Sequence, residues 1–278
     1  MRMKTQIPTI DYDSAAHRLP VLGELTELVR YRDLLGLMVI NIIKTRYKRS
    51  ALGVLWTLLN PLLNMAVLTI AFSTLFRFSV KNYPVYILAG LICWNFFVQT
   101  TTYAMNSLVW GGGLLKRVYI PRTIFSVAST GNGLANLGLA LIPLVVIMLV
   151  MGHPLYATWW FLPIAVLLLA MFALGVALFM STLAVFFTDV VDMYQVLLQA
   201  WFFLTPVMYP KDILPAQYVQ HLYLNPLYNL LELFRVPIYQ GWLPGPNTIL
   251  AAAASAMVSL LVGWYVFTRK ADEFAYRM

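Results

Sequence analysis

The sequence predicts an all-α polytopic membrane protein with six transmembrane helices, and three observations predict it. First, 61% of the 278 residues are hydrophobic and 11% are charged. Soluble domains carry about 25% charged residues, so this chain has too few polar groups to cover a globular surface. Second, uncharged apolar stretches recur at 56–76, 84–108, 123–188, 193–209 and 247–268, and a helix needs roughly 20 such residues to cross the hydrocarbon. The stretch 123–188 is too long for one crossing, and Gly152-His153-Pro154 divides it into two. Third, the cations stand at the ends of these stretches rather than on a folded basic face. That placement writes membrane topology and argues against nucleic acid as a partner, despite a net charge of +8.

The elements follow in order. Residues 1–23 form a polar tail without the apolar core of a cleavable signal peptide. Residues 24–49 read as an amphipathic helix. At 100° per residue Leu28, Tyr31, Leu35, Met38, Val39 and Ile42 share one face, with Arg30, Asp33, Asn41, Lys44 and Lys48 opposite and Leu37 an exception. Its end, Arg46-Tyr47-Lys48-Arg49, holds it to the membrane–cytoplasm interface and its anionic lipids. Gly53 permits a turn into the first span, and Asn60-Pro61 falls inside that span, where proline interrupts helical hydrogen bonding.

After the second span, Gly111-Gly112-Gly113 forms a hinge. Lys116, Arg117 and Arg122 then flank a short charged segment closed by Pro121, a residue suited to the first turn of a helix. Seven of the 15 prolines fall within 206–246. Residues 227–234 there are apolar but too few to cross, so this region reads as an outer surface loop or as short helices dipping into the outer leaflet. The segment 271–278 is a C-terminal tail. With both termini in the cytoplasm, fifteen of the 19 lysines and arginines lie inside, a strong positive-inside bias.

Enzyme chemistry is weakly represented. His17, His153 and His221 lie in separate segments without metal-ligand spacing. There is no nucleophile elbow and no Walker A loop. Asp212 and Glu232 are the outward carboxylates, a pair for glycosyl chemistry only in principle. Asp189 and Asp192 read as a solvated cytoplasmic loop, and Cys93 as a small core residue. The spans contain no Asp, Glu, Lys or Arg, whereas ion-coupled carriers usually place such groups in the membrane. A conduit of this kind takes its energy from a separate motor at the cytoplasmic face. Aromatic residues make up 14% of the chain. Near span ends they form an interfacial belt, but Tyr86, Trp94, Phe96, Phe97, Tyr103, Trp201, Phe202 and Phe203 are also candidates to line a path for sugar rings.

The residues Arg32-Asp33-Leu34, then Arg46-Tyr47-Lys48-Arg49-Ser50-Ala51-Leu52-Gly53-Val54-Leu55-Trp56 and Asn60-Pro61, resemble the opening of the permease subunits of type-2 ABC exporters of bacterial surface polysaccharides, such as O-antigen, capsule and teichoic acid. Lys116 to Arg122 resembles the family's cytoplasmic coupling segment, and Asn225-Pro226 matches the stretch before span six. The resemblance covers residues 24–270, with 50–270 as the transmembrane domain. It implies a homodimer in the bacterial inner membrane working with two nucleotide-binding ATPase subunits. The chain itself then holds no cofactor, ATP and Mg being bound by the partner. The substrate implied is a lipid-linked polysaccharide, O-antigen foremost, leaving through a central channel. Arg46, Lys48, Arg49, Lys116, Arg117, Pro121 and Arg122 would receive the motor's stroke. Residues 210–240 would be two re-entrant helices forming an outer gate. A type-2 exporter of drugs or small lipids, and a membrane enzyme acting on lipid-linked sugars, are the competing readings. A reporter active only in the cytoplasm should be active when fused at either terminus and silent within 210–240.

Overall fold

The computed structural model describes residues 28–48, 50, 52–53, 55–72, 80–110 and 121–274. Among them there is no strand. The helices are α1 (Arg32–Tyr47), α2 (Leu55–Ile70), α3 (Tyr83–Trp110), α4 (Thr123–Val150), α5 (Leu162–Phe186), α6 (Val190–Leu204), α7 (Ala216–Leu222), α8 (Pro226–Tyr239) and α9 (Pro246–Lys270), with short 3-10 turns at Ala157–Phe161, Lys211–Ile213 and Ala271–Glu273.

Four of these are long and apolar enough to cross a membrane: α3, α4, α5 with the turn before it, and α9. The helices α2 and α6 are apolar but have 16 and 15 residues, about 24 and 22 Å at 1.5 Å per residue, against a hydrocarbon core of about 30 Å. The sequence predicts six spans of comparable length, and the difference has a local cause in α6. Pro206 disfavours helical backbone at the residue before it, and Thr205 is extended at φ −104°, ψ 127°.

The break between α4 and α5 falls where Gly152-His153-Pro154 predicts it. Gly152 adopts φ +63°, its N–H donates to the Leu149 carbonyl, and the His153 N–H donates to the Met148 carbonyl. This is a Schellman closure, which needs a left-handed residue and so favours glycine.

Helix α3 is the hub, with 78% of its membrane window buried against 22% for α9. Ile87, Leu88, Ile92 and Phe97 meet Leu144 of α4, Leu169 and Phe172 of α5 and Phe234 of α8 in one large cluster. A second cluster, built on Leu108, Ile124, Phe125, Leu178, Trp264, Phe267 and Phe274, gathers the other ends of α3, α4, α5 and α9. Leu28, Tyr31, Leu35 and Met38 dock against it, the apolar face read from the sequence, with Leu34 as an added member. Leu37 is exposed, as its position off that face requires.

Helices α5 and α9 cross backbone to backbone. A Cβ on Gly263 would lie 2.0 Å from the Gly175 carbonyl oxygen, and one on Gly175 would lie 2.3 Å from the Ser259 carbonyl carbon. The Ser259 hydroxyl donates to the Phe172 carbonyl at 3.1 Å across the seam. Small residues let membrane helices approach this closely, where van der Waals contact replaces the hydrophobic effect as the driving force. Gly263→Ala should therefore cost about 1–3 kcal/mol through overpacking and lower the thermal unfolding temperature of the detergent-purified chain. Gly138→Ala, mid-helix in α4 where a Cβ meets nothing within 4 Å, should leave that temperature unlowered or slightly raised.

Candidate functional site

The region between α6 and α9 is built into the protein rather than laid over it. Ten residues of α8, Leu227 to Ile238, are buried. Pro226 opens the helix, and the Asn225 side chain accepts from the Leu227 N–H at 3.1 Å, a standard N-cap. The same Oδ1 accepts from Trp201 Nε1 at 3.0 Å, and Asn225 Nδ2 donates to Thr205 Oγ1 at 2.9 Å. One asparagine thus caps α8 and fastens it to the end of α6.

Arg235 fastens the other face. It is 3% exposed. Its Nη1 donates to the carbonyls of Pro206 and Val207 at 2.9 and 3.4 Å, and its Nη2 donates to Glu232 Oε1 at 2.9 Å. The guanidinium lies 4.1 Å from the ring centroid of Tyr86. Around it, Tyr86 O–H donates to the Tyr209 carbonyl at 3.1 Å, and Tyr239 O–H donates to the Lys81 carbonyl. The His153 ring stacks on Tyr239 at 5.5 Å, and Thr158 Oγ1 donates to the Pro237 carbonyl at 2.8 Å. The start of α3, the 151–158 connection, the end of α6 and α8 therefore form one hydrogen-bonded rim.

Between this rim and the second cluster, three helices display carboxamides one turn apart. Asn60 and Asn64 of α2 are exposed, and Asn64 Nδ2 donates to the Asn60 carbonyl and Oδ1 at 3.0 and 2.8 Å. On α3, Asn95, Gln99 and Asn106 are half-buried and Tyr103 is 39% exposed; their spacing of three to four places them on one face. Asn95 and Gln99 share a narrow cleft with Thr57 and Pro61 of α2. On α6, Gln195 and Gln199 are exposed, whereas Tyr194 and Leu198 turn inward. An amide facing hydrocarbon without a partner costs roughly 2–7 kcal/mol, so the exposed pair Gln195 and Gln199 on α6 calls for water, another helix or a hydroxylated ligand.

The residues singled out from the sequence divide between these regions. Gly53 has φ +49°, and its N–H donates to Ser50 Oγ at 3.0 Å. Pro61 is buried inside α2, and Asn60 is exposed beside it. Phe96 and Phe97 are 3% and 0% exposed. Trp94 packs on Phe97 and Phe202, and Phe97 on Phe172 and Trp201. With Tyr86 beneath Arg235, these aromatics form an inter-helix core, and of the eight candidates only Tyr103 and Phe203 stand exposed. At the other end, Arg46 occupies the last turn of α1 and Lys48 is exposed. Pro121 is buried, and the Arg122 guanidinium lies 5.8 Å from the Phe274 ring. Arg49, Lys116 and Arg117 lie outside the described residues. No group of three or more His, Cys, Asp or Glu among the described residues is arranged to hold a metal ion.

Sequence reasoning passed over Arg235, counted only as an outer cation, and most of the amides. The amide signal was present as Asn60/Asn64, Asn95/Gln99 and Gln195/Gln199, each pair at i, i+4 in an uncharged stretch. The local signal for Arg235 was Glu232 three residues earlier; its other partners come from residues 86 and 206–207.

A family model described as ABC-2 type transporter matches residues 34–239. The chain is 31% identical over 253 residues to the O-antigen export system permease protein RfbA of Myxococcus xanthus, covering 90% of this chain and 96% of that protein. It is 28% identical over 246 residues to the Klebsiella pneumoniae protein of the same name, covering 87% and 94%. The polysialic acid transport protein KpsM of Escherichia coli is 23% identical over 235 residues, covering 83% and 90%.

Removing one member of a buried ion pair strands the other, at a cost of about 3–5 kcal/mol. Arg235→Leu should lower the unfolding temperature by roughly 10 °C, and adding Glu232→Leu should restore only the part due to the stranded carboxylate, since the Pro206 and Val207 carbonyls stay unpaired. Equal unfolding temperatures for wild type and Arg235→Leu would remove Arg235 from its structural role.

Proposed function

Since the chain belongs to the ABC-2 type transporter family, we propose that it is the permease subunit of a bacterial surface-polysaccharide exporter, with lipid-linked O-antigen as its foremost substrate. The finer reading is as follows. The helices α2 and α6 complete a set of six spans, the fifth ending at the rim. Both termini are cytoplasmic, and α7 and α8 are re-entrant helices at the outer face. Two copies pair around a path, and two separate ATPase subunits bind ATP and Mg.

The observation that carries this reading is the set of carboxamides on α2, α3 and α6. A glycan offers hydroxyls that donate and accept, and a carboxamide does both without the desolvation cost of a charge. Uncharged amides therefore suit a sliding neutral polymer. In the paired state Asn60, Asn64, Gln195 and Gln199 would face the path, joined by Tyr103 and Phe203 as exposed rings.

Energy would enter at the other end. Helix α1 docks on the cluster that holds the ends of α3, α4, α5 and α9, so displacing α1 displaces those ends together. Arg46, Lys48 and Arg49 at its end, with Lys116, Arg117, Pro121 and Arg122, would form the surface that the ATPase subunits grip. Charge reversal at Arg117 and Arg122 should abolish both partner binding and export.

The path is tested by single cysteines. Cys93, the sole native cysteine, is buried, which keeps the background low. In membranes containing the ATPase partner, Gln195→Cys and Gln199→Cys should react with a water-soluble maleimide at least tenfold faster than Leu250→Cys and Val258→Cys on the exposed face of α9. Replacing Gln195 and Gln199 together by leucine should reduce surface glycan severalfold. Equal labelling of both sets would remove the path from this face.

A further inference from the structure

The rim encloses a cavity of about 540 Å³ between the start of α3, the 3-10 turn Lys211–Ile213 and α8, with Tyr86, Asp212, Glu232, Arg235 and Tyr239 in its wall. The carboxamide path does not use it. Its volume falls within the range of ligand pockets, about 300–1,000 Å³.

We propose that this outer cavity is a saccharide subsite that holds a short run of neutral pyranose units at the mouth of the protein. The proposal deepens the exporter reading and rests on it for the identity of the ligand. Three properties of the wall support it. The ionisable groups balance, with Asp212 and Glu232 against Lys211 and Arg235. A phosphate would face two carboxylates, a free cation would face two cations, and an acyl chain would strip water from all four. A neutral polyol meets none of these costs.

The polar groups are also of the planar kind that engages neighbouring hydroxyls two at a time. A carboxylate has about four acceptor sites, and the guanidinium contact occupies Glu232 at Oε1. Asp212 and Gln240 add further acceptors and an amide donor at the edge of the cavity. Finally, the wall is held in place before any ligand arrives. Arg235 is bound by two carbonyls, Glu232 and the Tyr86 ring, and Tyr239 is bound by Lys81 and stacked on His153. Preorganised side chains lose little rotational freedom on binding.

The test uses the full-length chain in lipid nanodiscs and saturation-transfer NMR, which detects weak binding. The probes are the methyl pyranosides of glucose, galactose, mannose and rhamnose, with glucose 1-phosphate as the charged comparison. Saturation transfer to at least one neutral pyranoside is expected. It should fall at least fivefold in Asp212→Ala/Gln240→Ala, two exposed positions whose replacement leaves the unfolding temperature unchanged. Three results would overturn the proposal: no transfer to any neutral pyranoside, transfer that the double variant leaves intact, or transfer to glucose 1-phosphate alone, which marks an anion site. Surface glycan in cells lacking the chain is measured separately. Loss of glycan without pyranoside binding sinks the cavity and keeps the exporter, and binding with glycan undiminished does the reverse.

Discussion

The Arg235 guanidinium joins three parts of the chain that are far apart in sequence: the start of α3 through Tyr86, the end of α6 through the Pro206 and Val207 carbonyls, and its own helix through Glu232. Burying a charge is costly, and its counter-ion alone rarely offsets the desolvation. Here the positive group also satisfies two carbonyls that the turn at 205–207 leaves without helical partners, so the ion pair and the turn stabilise each other. Apolar packing of Leu230, Leu233, Phe234 and Ile238 against α3 seats α8, and the Arg235 arrangement adds directional bonds that fix the turn at 205–207 to it.

The other end is held together differently. Around Phe267 and Phe274 the contacts are aromatic and aliphatic, and the ion pair there, Lys270 with Glu273, has both partners nearly half exposed. A pair so open to solvent contributes little. Among the described residues α1 meets the spans through apolar side chains, and such packing is non-directional. The two ends therefore differ in kind. The rim around Arg235 is fixed by directional hydrogen bonds, while the cluster around Phe267 is held by apolar packing.

How much of this was legible follows from the same physics. The long spans were legible because hydrocarbon demands about 20 apolar residues. The break after α4 was legible because a glycine followed at two residues by a proline has few other conformations. The apolar face of α1 was legible in part from its period: Leu28, Tyr31, Leu35 and Met38 dock on the second cluster, Leu34 joins them, and Val39 and Ile42 do not enter it. The shortness of α6 was not, since hydropathy runs on through Pro206 to Tyr209 while the backbone does not. The amides were visible but unvalued, because an uncharged polar side chain barely lowers a hydropathy average. For Arg235 only the pairing with Glu232 three residues earlier lay within local reach; its burial depends on carbonyls about 30 residues earlier and on a ring of another helix. Burial likewise separated Phe96 and Phe97, which are core, from Tyr103, which faces out.

The glycine seam between α5 and α9 has a consequence for biosynthesis. Gly175 and Gly263 are about 90 residues apart, and ribosomes add about 5–20 residues per second, so α5 waits roughly 5–20 s in the bilayer before its mate is made. Throughout that interval a groove shaped for a helix backbone lies open to lipid and to any nascent neighbour. A segment bearing a side chain where Gly263 meets the Gly175 carbonyl cannot seat there, which narrows what can occupy the groove.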